Sequence, residues 1–230
     1  MARILLIETS TAQLSAALSE DGAVTAFRVC DEPRMQAALT APSVKEILDE
    51  KGLTVKELDA VCVGRGPGSY TGLRVGVSTA KGLCFGAGIP LLSVGTLDTL
   101  VSEAHRLGVV PEGCRYIVPM IDARRMEVYS AVFMPDGRQL TETRPVIVDA
   151  DSFGPQLAEG PVLFIGDGAL KCREALSSPN AFFAEAFPDA RSMAPLAEAA
   201  WNGKRFEDTA YFEPFYLKDF VATVSRKKLF

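Results

Sequence analysis

Three observations predict a two-lobed α/β fold with mixed sheets flanked by helices. The first hundred residues read as β-β-β-α-β-α-β-α, a glycine-rich loop feeds a helix in the middle of that order, and a fresh run of strands begins near residue 115. A chain of 230 residues is long enough for two compact lobes, each with its own core. Hydrophobic residues make up 48% and charged ones 23%, the balance of a folded globular protein rather than a disordered one. The expected division is residues 1–106 for the first lobe and 107–230 for a degenerate second lobe.

The elements follow in order. Residues 3 to 8 form an apolar run ending at Glu8, and residues 13 to 19 follow the polar turn Thr9-Ser10-Thr11. Glu20-Asp21-Gly22 then leads into Val24 to Val29, and an acidic-glycine pair between two such segments is a hairpin signal. Three antiparallel strands therefore open the chain. Met35, Leu39, Val44, Ile47 and Leu48 recur at helical spacing, Pro42 kinks or splits that stretch, and Gly52 stops it, so a helix is expected over about 43 to 51. Asp59 to Val63 and Ile89 to Val94 read as buried strands on either side of the glycine helix, and Leu97, Leu100, Val101 and Ala104 mark another helix. A three-strand meander followed by two parallel crossovers is the arrangement of a ribonuclease H-like or actin-like sheet. In it the turn after strand 1 and the loop after strand 4 face one cleft.

The second lobe restarts with strands at Tyr116 to Ile121, Glu127 to Phe133, Pro145 to Val148 and Val162 to Ile165. A helix around Pro195 to Trp201 completes it. The net charge of −5 argues against a broad nucleic-acid surface, and the short basic clusters Arg124-Arg125 and Arg226-Lys227-Lys228 read as solvated surface. No apolar run is long enough to span a membrane, and five scattered cysteines without a C-x-x-C pair fit reduced thiols, so a cytoplasmic protein is expected.

The most informative segment runs from Gly64 to Gly86. Gly64, Gly66 and Gly68 let a loop turn several backbone N–H groups toward one point, where an anion could sit, and Ser69 or Thr71 caps the following helix with its positive end facing the same place. Each glycine inside that helix costs about 1 kcal/mol relative to alanine, so something must offset it. Gly72, Gly76 and Ala80 recur every four residues as a smooth stripe. The stripe either fits the helix tightly onto its own sheet or receives another protein.

Several chemistries are excluded by composition. His105 is the only histidine, so neither a two-imidazole metal site nor a Ser-His-Asp or Cys-His hydrolase is readily assembled. No GxxxxGK[ST] loop is present. Glu8, Asp122 and Asp167 stand at strand ends or between glycines, where carboxylates either hold a magnesium ion or merely cap turns.

Four blocks, Ile4 to Thr11, Gly64 to Arg74, Ile121 to Tyr129 and Glu213 to Leu217, resemble the signatures of the bacterial TsaB (YeaZ) family in order and spacing over nearly the whole chain. The resemblance implies the actin, hexokinase and Hsp70-like ATPase superfold. It also implies a role as non-catalytic partner of the related enzyme TsaD in making N6-threonylcarbamoyladenosine at position 37 of tRNAs, with the ATPase TsaE joining the pair and tRNA met only indirectly. Met35 and the lack of histidine between Cys30 and Ala41 set the chain apart from TsaD-like proteins, whose equivalent helix binds a metal through two histidines. Glu8-Thr9 replaces the Asp-x-Gly phosphate signature of active superfold members, which argues against independent ATP hydrolysis.

The first two helices of the amino-terminal lobe form the family's shared surface with TsaD, or with a second copy of the chain when TsaD is absent. The implied interface residues are Leu39, Ser43, Ile47, Gly72, Leu73, Arg74, Gly76, Val77, Ala80 and Lys81. A nucleotide, ATP or ADP with magnesium, would meet Glu8, Thr9, Ser10, Gly66, Gly68, Ser69, Thr71 and Asp122, or lie near the partner joint. Two alternatives stand beside this reading. One is an ATP-dependent transferase or kinase using Glu8, Ser69, Thr71 and Asp122, and the other is an inactive peptidase-like homodimeric module.

Overall fold

A computed structural model describes residues 2–218, so the Arg226-Lys227-Lys228 cluster lies outside the described residues. Two five-stranded sheets of matching topology form the two lobes. The first runs β3(Ala23–Cys30), β2(Leu14–Glu20), β1(Arg3–Glu8), β4(Ala60–Gly64), β5(Leu91–Val94). β1 pairs antiparallel with β2 and β2 with β3, while β1, β4 and β5 are parallel neighbours. The second runs β8(Arg144–Ile147), β7(Glu127–Ser130), β6(Tyr116–Asp122), β9(Val162–Ile165), β10(Ala181–Ala184), with the same sense at each pairing. The restart read from the sequence is thus a second copy of the first sheet. β10 and the short helix α4(Gly154–Glu159) carry too little periodicity to be read in advance.

One face of sheet one is covered by α1(Gln36–Lys51) and α2(Tyr70–Ala87), which pack beside each other over Leu5, Ile7, Leu18, Val61 and Val63. α1 starts earlier than the sequence suggested, since Pro42 sits inside it without ending it. The carbonyl that Pro42 cannot bond belongs to Ala38, and both residues are exposed, so the helix loses that bond on its solvent side. Gly52 ends α1 in the left-handed conformation at φ 63°, as expected of a terminal glycine.

Two helices cross between the halves of the chain on either side of residue 106. α3(Thr96–Arg106) buries Leu97, Leu100, Val101 and Ala104 against Ile117, Ile121 and Leu163 of sheet two and against Phe133 beside it. Conversely α5(Ala190–Asn202) lays Met193, Ala194, Ala197 and Ala200 across Ile4, Leu6, Cys62 and Leu92, on the second face of sheet one. Each lobe is therefore completed by a helix from the other half of the chain. The two crossing helices touch, and Glu103, buried between them, accepts hydrogen bonds from Arg106 and from the Ser192 hydroxyl. The segment after α5 returns to lobe one, where the Glu207 N–H donates to the Leu91 carbonyl at 2.9 Å.

Candidate functional site

The loop after β4 and the start of α2 are built around the turn that ends β1. Ser69 caps α2, its Oγ accepting from the Gly72 N–H at 3.2 Å, as the hydroxyl position in the sequence required. Ser69 N–H in turn donates to the Ser10 carbonyl at 2.6 Å, and Thr9 Oγ1 donates to the Gly72 carbonyl at 2.8 Å. A Cβ on Gly68 would overlap the Ser10 carbonyl, one on Gly72 the Thr9 carbonyl, and one on Gly76 the Thr9 hydroxyl. The glycines therefore admit residues 8 to 10 of the chain itself.

This corrects two expectations. The glycines at 68, 72 and 76 leave space that Thr9 and Ser10 of the chain itself fill, so only the outer side of the loop, at Gly68 to Thr71, borders open space. Nor is the Gly72, Gly76, Ala80 stripe a partner surface: it lies against the chain's own turn and sheet, and Ala80 is fully buried. The periodicity of four was right and the direction wrong, since a stripe without side chains carries no polarity to say which way it faces. Of the ten residues assigned to the interface, Ile47, Gly72, Leu73, Gly76, Val77 and Ala80 are buried. Leu39, Ser43 and Lys81 are half-buried, and Arg74 alone is exposed. Lys81 is also engaged, donating to the Phe212 carbonyl at 2.9 Å and to the Ala210 carbonyl at 3.0 Å.

Glu8 does not reach a ligand position either. It is fully buried beneath Gly64, whose missing side chain makes room for its carboxyl, and its Oε1 accepts from the Ser10 N–H at 2.7 Å while Oε2 has no partner. Burial pushes its pKa up, against the hydrogen bonds from Ser10, so the side chain is a structural carboxyl rather than a metal-facing carboxylate. The magnesium trio of Glu8, Asp122 and Asp167 is not assembled, and the kinase alternative loses its first acid. Among the described residues no three metal-ligating side chains converge.

What the fold does create is a cleft of about 950 Å3 between the lobes. From lobe one come Ser10, Thr11, Gly68, Ser69, Thr71 and Arg34; from lobe two come Asp122, Arg124, Tyr129 and Asp167. Of the expected ligand residues, Ser10, Gly68, Ser69, Thr71 and Asp122 line it, whereas Glu8, Thr9 and Gly66 do not. Arg34 carried no signal in the sequence, because a lone arginine after a proline is ordinary in a loop. Lys171 pairs with Asp122, and Asp167 Oδ1 accepts from the Asp122 N–H at 2.9 Å. His105 stays outside, exposed on α3 with Nε2 2.7 Å from the Pro135 carbonyl.

Burial, with the nearby Asp122 charge adding to it against the Asp122 N–H bond and Lys171, pushes the Asp167 carboxyl from 3.8 up to about 6. The folded protein thus holds this proton more tightly than the unfolded chain. Its contribution to stability is complete below about pH 4 and is lost as pH rises through about 6. Asp167→Asn, which keeps the acceptor oxygen and cannot ionise, should be more stable than the parent at pH 7.5 by about 2 kcal/mol. Thermal melts at pH 7.5 and pH 4 check this, because the gain must shrink at the lower pH; an equal gain at both would disprove the buried-charge account.

The fourth signature block closes over the second. The Phe215 N–H donates to the Arg65 carbonyl at 2.7 Å, and a Cβ on Gly66, which sits at φ 109°, would meet the Phe215 carbonyl at 2.8 Å. The Tyr216 ring lies 4.8 Å from that of Tyr70, and Lys218 pairs with Glu127 in lobe two. Blocks spread over the sequence therefore meet at one place: the first under the glycine loop, the fourth above it, the third across the cleft.

A family model described as TsaD, tRNA N6-adenosine threonylcarbamoyltransferase, matches residues 34–225. The chain is 32% identical to the tRNA threonylcarbamoyladenosine biosynthesis protein TsaB of Escherichia coli, over 96% of both chains. It belongs to the TsaB family. The TsaB protein of Bacillus subtilis is 31% identical over 71% of this chain and 70% of its own. The solved structure of YeaZ from Pseudomonas aeruginosa superposes with a TM-score of 0.82 at 28% identity, covering 94% of this chain and all of that one.

Proposed function

We propose that this protein acts in tRNA N6-threonylcarbamoyladenosine synthesis as a non-catalytic partner that docks on a TsaD-like enzyme through the outer faces of α1 and α2. The names of the relatives support the process, and the surface itself supports the docking. Phe85 is 87% exposed on α2, and Gly82 and Gly86 beside it have no atom of the described chain within 4 Å of a would-be Cβ. Gly72 and Gly76 have their internal reason in Thr9; Gly82 and Gly86 have none. A helix that keeps two such glycines next to a bare phenylalanine presents a surface suited to the close approach of another helix. The residues exposed on that face are Thr71, Arg74, Ser78, Gly82, Phe85 and Gly86, together with Ala37, Ala38 and Ala41 of α1.

In this role the protein orders its partner's catalytic site and supplies no reactive group of its own. A TsaE-like ATPase joins the pair, a second copy of the chain occupies the same face when TsaD is absent, and ATP or ADP with magnesium belongs at or near the joint. The deciding experiment is reconstitution with TsaD, TsaE, ATP, the threonylcarbamoyl donor system and tRNA. Leaving this chain out should lower modified tRNA to background, and full modification without it would overturn the proposal.

A further inference from the structure

The last described segment turns back along α2. The Tyr216 ring meets that of Tyr70 at the first turn of the helix, 4.8 Å between centroids, and Lys81, about three turns further on, donates to the carbonyls of Phe212 and Ala210. Residues 210 to 216 therefore form a strap antiparallel to the helix. Between strap and helix runs a groove of about 500 Å3, with Arg74 and Ser78 on the helix side and Glu213 and Tyr216 on the strap side. Tyr70 and Tyr216 border both this groove and the cleft between the lobes; its other lining residues do not reach the cleft.

The groove opens on the proposed docking face. Arg74, Ser78, Gly82 and Phe85 succeed one another at helical spacing along that face, all exposed. Tyr211, 84% exposed, stands between the two carbonyls that Lys81 holds, so the strap adds a second bare aromatic to the one that Phe85 supplies. Large aromatics in the open on two adjoining segments mark a surface for another protein.

Arg74 is the charge in the groove that the chain leaves uncompensated. Its guanidinium donates to the Tyr70 hydroxyl at 3.2 Å and lies 5.3 Å from the centroid of that ring, and among the described residues no acid pairs with it. The other two charged groups lining the groove, Lys81 and Glu213, are of opposite sign and offset each other. Stacked on a tyrosine that is itself packed against Tyr216, the guanidinium is held before a partner arrives, and less side-chain entropy is lost when it bonds.

We infer that the groove takes an acidic side chain of the TsaD-like partner, its carboxylate bonded by the Arg74 guanidinium, with Phe85 and Tyr211 packing around the contact. This rests on the docking proposed above and adds two things to it: the strap is the second rim of the docking surface, and a carboxylate is what the partner presents there. The planar fork of arginine meets a carboxylate through two N–H donors, and arginine and tyrosine are the residue types that concentrate binding energy in an interface. Lys81 and the Phe215 N–H bond to the Arg65 carbonyl fix the strap as a wall of the groove.

Calorimetric titration of the TsaD-like partner with the parent chain, Arg74→Gln, Glu213→Gln and Gly82→Leu, in low and in high salt, tests the groove. Arg74→Gln should bind about tenfold more weakly or worse in low salt, with the deficit shrinking as salt rises and its cooperative unfolding intact. Glu213→Gln removes a competing acid and should bind as tightly as the parent or more so. Gly82→Leu reports on the docking face as a whole and should lose pairing in any salt. Loss of pairing in Gly82→Leu beside parental affinity in Arg74→Gln would overturn the groove and leave the docking face standing. Weaker pairing in Glu213→Gln than in Arg74→Gln would reverse the sign of the partner's charge and overturn it too. Undiminished pairing by Gly82→Leu, or none by the parent, would remove the docking itself and this inference with it.

Discussion

Gly72→Ala is expected to destabilise lobe one itself by about 2 kcal/mol or more rather than merely weaken association. The new methyl would overlap the Thr9 carbonyl, a backbone atom held in place because Thr9 Oγ1 bonds the Gly72 carbonyl and Ser10 receives the Ser69 N–H. A flexible side chain could move aside; this turn cannot without breaking those bonds. Alanine recovers about 1 kcal/mol of helix propensity, but overpacking against fixed backbone costs roughly 3 kcal/mol or more, so the loss prevails. Urea unfolding of the isolated chain reads the difference directly. A variant as stable as the parent would mean that Thr9 does not anchor α2.

Gly82→Leu should have the opposite profile. Nothing in the described chain lies within 4 Å of a Cβ there, so the substitution is accommodated, and replacing a helical glycine with leucine should raise stability by about 1 kcal/mol. On the proposed docking face, however, the added isobutyl group stands between two helices. A clash of about 3 kcal/mol lowers affinity for the TsaD-like partner by roughly a hundredfold. Pull-down or calorimetry with the partner, beside a thermal melt of the variant alone, separates the two effects. Retained pairing in a stabilised variant would remove α2 from the interface.

Much of the fold was legible because it is written in local patterns. The acidic-glycine turn at residues 20 to 22 announces the β2–β3 hairpin, Gly52 ends α1 at its proper place, and the restart near residue 115 is a real second sheet. The facing of α2 was not legible. Its buried stripe of Gly72, Gly76 and Ala80 and its open Gly82 and Gly86 are all side-chain-poor, so amphipathic contrast, which normally orients a helix, is lost. The crossing of α3 and α5 between lobes was equally hidden, because apolar spacing shows that a helix is half-buried and not which sheet covers it. At the site, Ser69 and Asp122 were found through capping and strand-end position, whereas Arg34 becomes visible only when the cleft brings it opposite Arg124.

The crossing helices bear on how the protein is made. β1 to β5 are complete once residue 94 leaves the ribosome, yet the face bearing Ile4, Leu6, Cys62 and Leu92 is covered only by α5, more than a hundred residues later. At translation rates of 5–20 residues per second that interval is roughly 5 to 20 s, during which the nascent chain carries an uncovered apolar sheet face. Premature termination before Ala190 would leave that face bare for good. A stalled or truncated product is therefore a natural client for chaperones and proteases, and the cell receives either the complete two-lobed molecule or nothing usable.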